Sequence, residues 1–350
     1  MKRLSFIFFS IIHFSFVFAQ KLETEEINRI SNYLEEIKET TKKASSIWNK
    51  DLYGNILLVV PETRQFFTNQ RDAHNSLQTE SNLFTGTLPE NLNIANTSIQ
   101  WNGKCWAMIM LPLPEDKFER INLLAHELFH CAQPSLGFVQ NNQESPHLDK
   151  KEGRIYLRLE MEALLKALLS ETEKEQKRHL THAFIFRKYR NSLFPGSSQL
   201  ENLLELNEGI AEYTGLMVSG RTKNQTKEHF ISSINEFFKN SSYVRSFAYY
   251  TIPIYGYLLS FKIPLWNQNI HSNSQLIDFF IKAFELQLPS DVKPLITHIS
   301  NEYNGETIFA EEEKREERIK QEIANYKRKF TEKFHVELKF ECRLPQIKTA

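Results

Sequence analysis

The sequence predicts an α+β protein that is mainly α, a small antiparallel β region followed by a helical core. Three observations predict it. Apolar residues between Ile27 and Ile37 recur at helical spacing. A short apolar run and an Asn-Gly turn mark strands between residues 55 and 112, and from Pro112 onward the pattern is helical almost to the end. The 350 residues suffice for one large domain or two fused lobes. Abundant Phe (27) and sparse Gly (11) suit a helix-rich globular chain rather than a disordered one. Basic and acidic residues balance at 43 each, which excludes nucleic acid or an anionic membrane as a partner recognised by net charge.

Residues 1–19 read as a signal peptide. Lys2 and Arg3 form a basic start, Leu4 to Phe18 a mostly apolar run, and Val17-Phe18-Ala19 a cleavage site before Gln20. The run is short for a membrane span and is interrupted by Ser and His13, so cleavage should leave no transmembrane anchor. The mature chain is then exported, to a periplasm or to the medium, with a net charge near −2 from 41 basic and 43 acidic residues. The remainder divides into residues 20–112, an N-terminal helix with the β region, and residues 113–350, a continuous helical unit.

A helix should run from Thr24, its cap, toward Trp48, with Ile27, Ile30, Leu34 and Ile37 on its buried face. Asn55 to Val60, closed by Pro61, reads as a buried strand. Asn102-Gly103 lies between two apolar segments and supplies the positive φ angles of a tight hairpin, so two antiparallel strands flank it. A helix from about Glu115 to Gln133 stops at Pro134, because proline disfavours helical geometry in the residue before it. Further helices are expected over 153–170, 173–192, 200–219, 227–239, 244–261 and 275–286. A charged helix over 310–333, read as a solvated face, precedes a strand-like VELKFE. The three cysteines, Cys105, Cys131 and Cys342, fit no zinc ribbon. An oxidising compartment permits a Cys105–Cys131 bridge, but the reading adopted is three small half-buried residues.

The chemistry-bearing segment is His126-Glu127-Leu128-Phe129-His130, an HExxH motif inside the helix ending at Pro134. Residues four apart share one helix face, so both imidazoles can reach one metal ion from a rigid support. Glu127, one position round, can take a proton from a metal-activated water without being a ligand. A catalytic zinc takes three protein ligands. The metzincin positions after His130 hold Gln133 and Leu136, so the third ligand should be a glutamate on a later helix. Glu205, Glu208 and Glu212 in ELNEGIAEYTG are the choices, with Glu160 and Glu162 as rivals.

HELFH followed by LNEGIAEY resembles the gluzincin clan of zinc metallopeptidases, in particular the branch of membrane-alanyl-type aminopeptidases. The resemblance covers about two dozen residues. It implies one zinc per chain, held by His126, His130 and Glu208, with Glu127 as general base. It implies a tyrosine that steadies the developing oxyanion, for which Tyr249 is the nearest match and Tyr250 the next. Gly209 beside the ligand fits a close approach of another backbone, since a mid-helix glycine costs roughly 1 kcal/mol relative to alanine. His130 and Glu208 stand 78 residues apart, so the two helices between 153 and 192 should be an insertion that returns to the site. The implied function is an exported zinc peptidase acting on peptide or protein substrates, in endo or exo mode. The alternative is a degenerate gluzincin-like binding protein of the cell envelope. His179, His182 and His229 match no ligand spacing.

Overall fold

In the computed structural model, residues 25–332 are described. The signal-peptide segment, the VELKFE strand and Cys342 lie outside them. Helix α1 occupies residues 25–43 and buries Ile27, Ile30, Leu34 and Ile37. Six short strands follow: β1 (Ile56–Val59), β2 (Gln65–Thr68), β3 (Gln78–Glu80), β4 (Leu83–Thr87), β5 (Thr97–Trp101) and β6 (Lys104–Met110). They form one sheet in the order β3-β4-β2-β1-β6-β5.

The sheet is mixed, which corrects the antiparallel expectation: β1 pairs parallel with β6 and antiparallel with β2. The reason lies in β1 itself. All four of its residues are buried, so it needs cover on both faces and takes a central place. Ile56 and Leu58 pack toward α1 and the next helix, while Leu57 and Val59 join Phe66, Trp106 and Met108 on the opposite side. The β5–β6 hairpin forms as expected, with Asn102 (φ 45°) and Gly103 (φ 76°) linking the paired Trp101 and Lys104.

Helix α2 (Lys117–Ala132) is capped by Asp116, whose side chain accepts from the Glu119 amide. It lies on the sheet beside β6, burying Ile121, Leu124, Ala125 and Leu128. Helices α3 (Lys151–Leu169) and α4 (Glu173–Leu193) form an antiparallel hairpin. Helix α5 (Ser197–Leu204) then runs through a π-helical turn (Glu205–Gly209) into α6 (Ile210–Ser219), which packs against α2. The segment between the two motifs is thus a helical hairpin that brings the chain back. Helices α7 (Lys223–Phe237), α8 (Ala248–Ser260), α9 (Leu276–Ala283), α10 (Ile296–Ser300) and α11 (Gly305–Thr331) complete the helical body. No described helix is long and apolar enough to cross a membrane.

Cys105 of β6 and Cys131 of α2 form a disulfide, with Cα atoms 5.8 Å apart. This replaces the reading of three unpaired cysteines. The packing of α2 on the sheet brings a residue of its last turn against the start of β6, a proximity that spacing along the chain does not reveal.

Candidate metal centre

Helix α2 presents His126 and His130 from successive turns, as i,i+4 spacing requires, and the π turn brings Glu208 to them. The three side chains are buried and their ligating atoms converge. His126 Nε2 and His130 Nε2 are 3.0 Å apart, and Glu208 Oε2 is 3.4 and 3.3 Å from them. Three ligands about 2.0–2.1 Å from a tetrahedral zinc ion stand roughly 3.3–3.4 Å from one another, so the trio has the dimensions of one face of that tetrahedron.

The tautomers agree. His126 Nδ1 donates to Glu212 Oε2 at 2.8 Å, and Glu212 Oε1 accepts from Asn122 Nδ2 at 2.7 Å. His130 Nδ1 donates to Gln133 Oε1 at 2.9 Å, while the Gln133 amide donates to the Asn207 carbonyl at 3.2 Å. A carboxylate and an amide oxygen only accept, so both rings carry a proton on Nδ1. Their Nε2 lone pairs then face the same point. Two lone pairs and a carboxylate at that separation repel unless a cation lies among them. With only a proton to serve, burial opposes charge on His126, but Glu208 and Glu212 outweigh it and raise the ring's pKa to about 10. A divalent cation bound at that point would displace the proton.

Glu127 is buried against the trio, with Oε2 lacking any hydrogen-bond partner. Burial pushes its pKa up, with the two histidines acting in opposition. Tyr249, on α8, donates to Glu208 Oε2 at 2.6 Å and stacks on the His126 ring with centroids 5.5 Å apart. Burial, then the Glu208 charge, pushes its hydroxyl well above the ordinary range and keeps it a proton donor. Tyr250 instead packs on Phe237, 4.7 Å between centroids.

Two close approaches set the ligand helix. A Cβ on Gly209 would stand 2.7 Å from Ile252 Cγ1 and 3.1 Å from the Ala248 carbonyl, so glycine admits α8. A Cβ on Gly215 would meet the Asn122 carbonyl at 2.5 Å, so a second glycine admits α2. The other glutamates named from sequence are engaged elsewhere. Glu205 accepts both terminal nitrogens of Arg187 and the Thr251 hydroxyl. Glu160 accepts from Arg187, Arg190 and Tyr255. Glu162, on α3, is half-buried and faces Asn304 near the start of α11. His179 and His182 both bond the Tyr303 hydroxyl, and His229 pairs with Glu119.

Sequence reasoning assigned no role to Asn122, Gln133 or Asn207, and it placed Glu212 only among the possible ligands. Gln133 sits three residues after His130 and Glu212 four after Glu208, spacings that share a helix face and could have flagged both. Replacing Glu212 by alanine should weaken zinc binding about 10–100-fold in a chelator competition, because His126 loses the partner that orients its ring. An unchanged affinity would remove Glu212 from the site. Compared with protein-family models, curated proteins and solved structures, the chain matches none of them. The functional reading therefore rests on the site alone.

Proposed function

We propose that the chain is an exported zinc-dependent peptidase of gluzincin type, holding one zinc ion on His126, His130 and Glu208. The observation that carries the reading is the convergence of two Nδ1-protonated histidines and a buried carboxylate on one point, beside a glutamate oxygen with no partner. A bound zinc ion supplies Lewis acidity to the carbonyl and lowers the pKa of water.

The chain's own groups do the rest. Glu127 takes a proton from the attacking water as the water oxygen bonds to the scissile carbonyl carbon. It returns that proton to the amide nitrogen as the C–N bond breaks. Tyr249 donates its one O–H to Glu208 Oε2, so it serves the oxyanion that develops on the substrate carbonyl only by turning that O–H away from the carboxylate. Among the described residues strand β5 ends the sheet and pairs with β6 alone, and it is joined to the His130 turn by Gln140, which donates to Ser98 and to the His130 carbonyl. Its outer edge gives an extended peptide a backbone to pair with.

The test is zinc content of purified mature protein together with digestion of a peptide library. About one zinc per chain is expected, strongly weakened in both His126→Ala and Glu208→Ala, with peptide cleavage that needs the metal. No zinc after reconstitution would overturn the reading. Tight zinc with no cleavage of any peptide would leave the alternative, a gluzincin-like binding protein.

A further inference from the structure

The balanced charge of the whole chain hides a local imbalance at the end of α11. The first half of that helix is tied to α3: Glu312 bonds Arg154 at 2.8 Å and Arg158 at 2.9 Å, and Glu313 pairs with Lys151 at 2.9 Å. The buried residues of the helix, Gly305, Ile308 and Glu312, all lie in this half. From residue 320 to its end at Thr331 every residue is exposed, so about 18 Å of helix has no cover among the described residues.

The uncovered stretch is amphipathic. Ile319, Ile323, Tyr326 and Phe330 follow at intervals of four, three and four, which places them within about 60° of one another around the axis. Ile323 is 50% exposed, Tyr326 60% and Phe330 69%, and no other described helix or strand exposes as many large apolar side chains. Over residues 318–331 five basic side chains stand against Glu322 alone. Arg318 pairs with Glu322 at 3.2 Å, and Lys320 with Glu316 at 3.1 Å. Lys327, Arg328 and Lys329 have no carboxylate partner among the described residues. By helical spacing Lys327 borders the apolar stripe on one side and Lys329 on the other.

We propose that residues 318–331 of α11 form an interfacial helix that lies flat on an anionic lipid bilayer. Such a surface answers both features at once. Its negative headgroups meet the lysine and arginine ends, and the hydrocarbon just beneath takes Ile323, Tyr326 and Phe330. A second copy of the chain would instead bring the same excess of positive charge against itself. The attachment is peripheral and reversible, and it does not depend on the metal centre.

The test is sedimentation of the purified full chain with vesicles of phosphatidylcholine, with and without added phosphatidylglycerol. Binding to the anionic vesicles should be at least roughly tenfold tighter than to the neutral ones and should weaken as salt is added. Two double variants probe the two features: Ile323→Ser with Phe330→Ser, and Lys327→Gln with Lys329→Gln. Each should weaken binding to anionic vesicles roughly tenfold or more. Both should keep the wild-type melting temperature, because none of the four side chains is buried. No sedimentation of wild type with anionic vesicles, or equal binding to both kinds, would overturn the proposal. So would wild-type binding by both variants. A dimer that the serine variant dissolves, in a protein that ignores vesicles, would assign the stripe to a second copy instead.

Discussion

Glu127→Gln should lower peptide hydrolysis by a factor of about 10²–10⁴ or more while the protein keeps its zinc. The expectation has two independent parts. Glutamine matches glutamate in shape and keeps one carbonyl oxygen, so the buried space beside the trio stays filled. It cannot accept a proton at neutral pH, and it gives up one oxygen of a carboxylate whose Oε2 is buried without a hydrogen-bond partner. Zinc should remain because Glu127 is not among the converging atoms; those belong to His126, His130 and Glu208. Zinc analysis and single-turnover cleavage on one preparation check both parts. Full activity in the variant would remove the general base from the mechanism, and loss of zinc would make Glu127 a ligand.

Arg187→Ala should destabilise the fold by about 3–5 kcal/mol, read by urea denaturation, although Arg187 touches none of the three candidate ligands. Its guanidinium is fully buried and bonds Glu160 at 2.7 Å and Glu205 at 2.8 and 2.7 Å. Glu160 would still have Arg190, but Glu205 would keep only the Thr251 hydroxyl. Burial already pushes the Glu205 pKa up against the pull of Arg187, and removing the arginine pushes it further. A group whose folded pKa lies above its unfolded value binds more protons when folded, so its contribution to stability falls as pH rises. The variant should therefore lose more stability between pH 5 and pH 8 than wild type does. A parallel pH dependence in the two proteins would show that Glu205 is not the group left exposed.

Much of the fold was legible because its signals are local. The Asn102-Gly103 hairpin, the apolar face of α1 and the stop at Pro134 each depend on a few adjacent residues. Strands β2 to β4 were not legible. They are three to five residues long, too short for an alternation to stand out. In the site, His126 and His130 needed only helix periodicity, whereas Glu208 depended on resemblance and on Gly209. The arginine network around Glu160 and Glu205, and the Cys105–Cys131 bridge, arise where elements distant in sequence pack together. No periodicity along the chain announces such meetings.

The π turn has a consequence for the four glutamates around it. Glu201, Glu205, Glu208 and Glu212 are spaced four, three and four apart, and in an unbroken α-helix they would line up as one acidic stripe. Instead the Ile210 amide reaches back five residues to the Glu205 carbonyl. The wider turn makes later residues lag by up to roughly the 100° that one α-helical residue spans. The stripe is split. Glu201 and Glu205 face the arginines, and Glu208 and Glu212 face the histidines. One surplus residue in a helix thus divides a uniform row of like charges between two sets of partners, buried arginines on one side and the paired histidines on the other. The division is written in chain length, so relatives that preserve all four acids but lack the surplus residue would aim them at a single target.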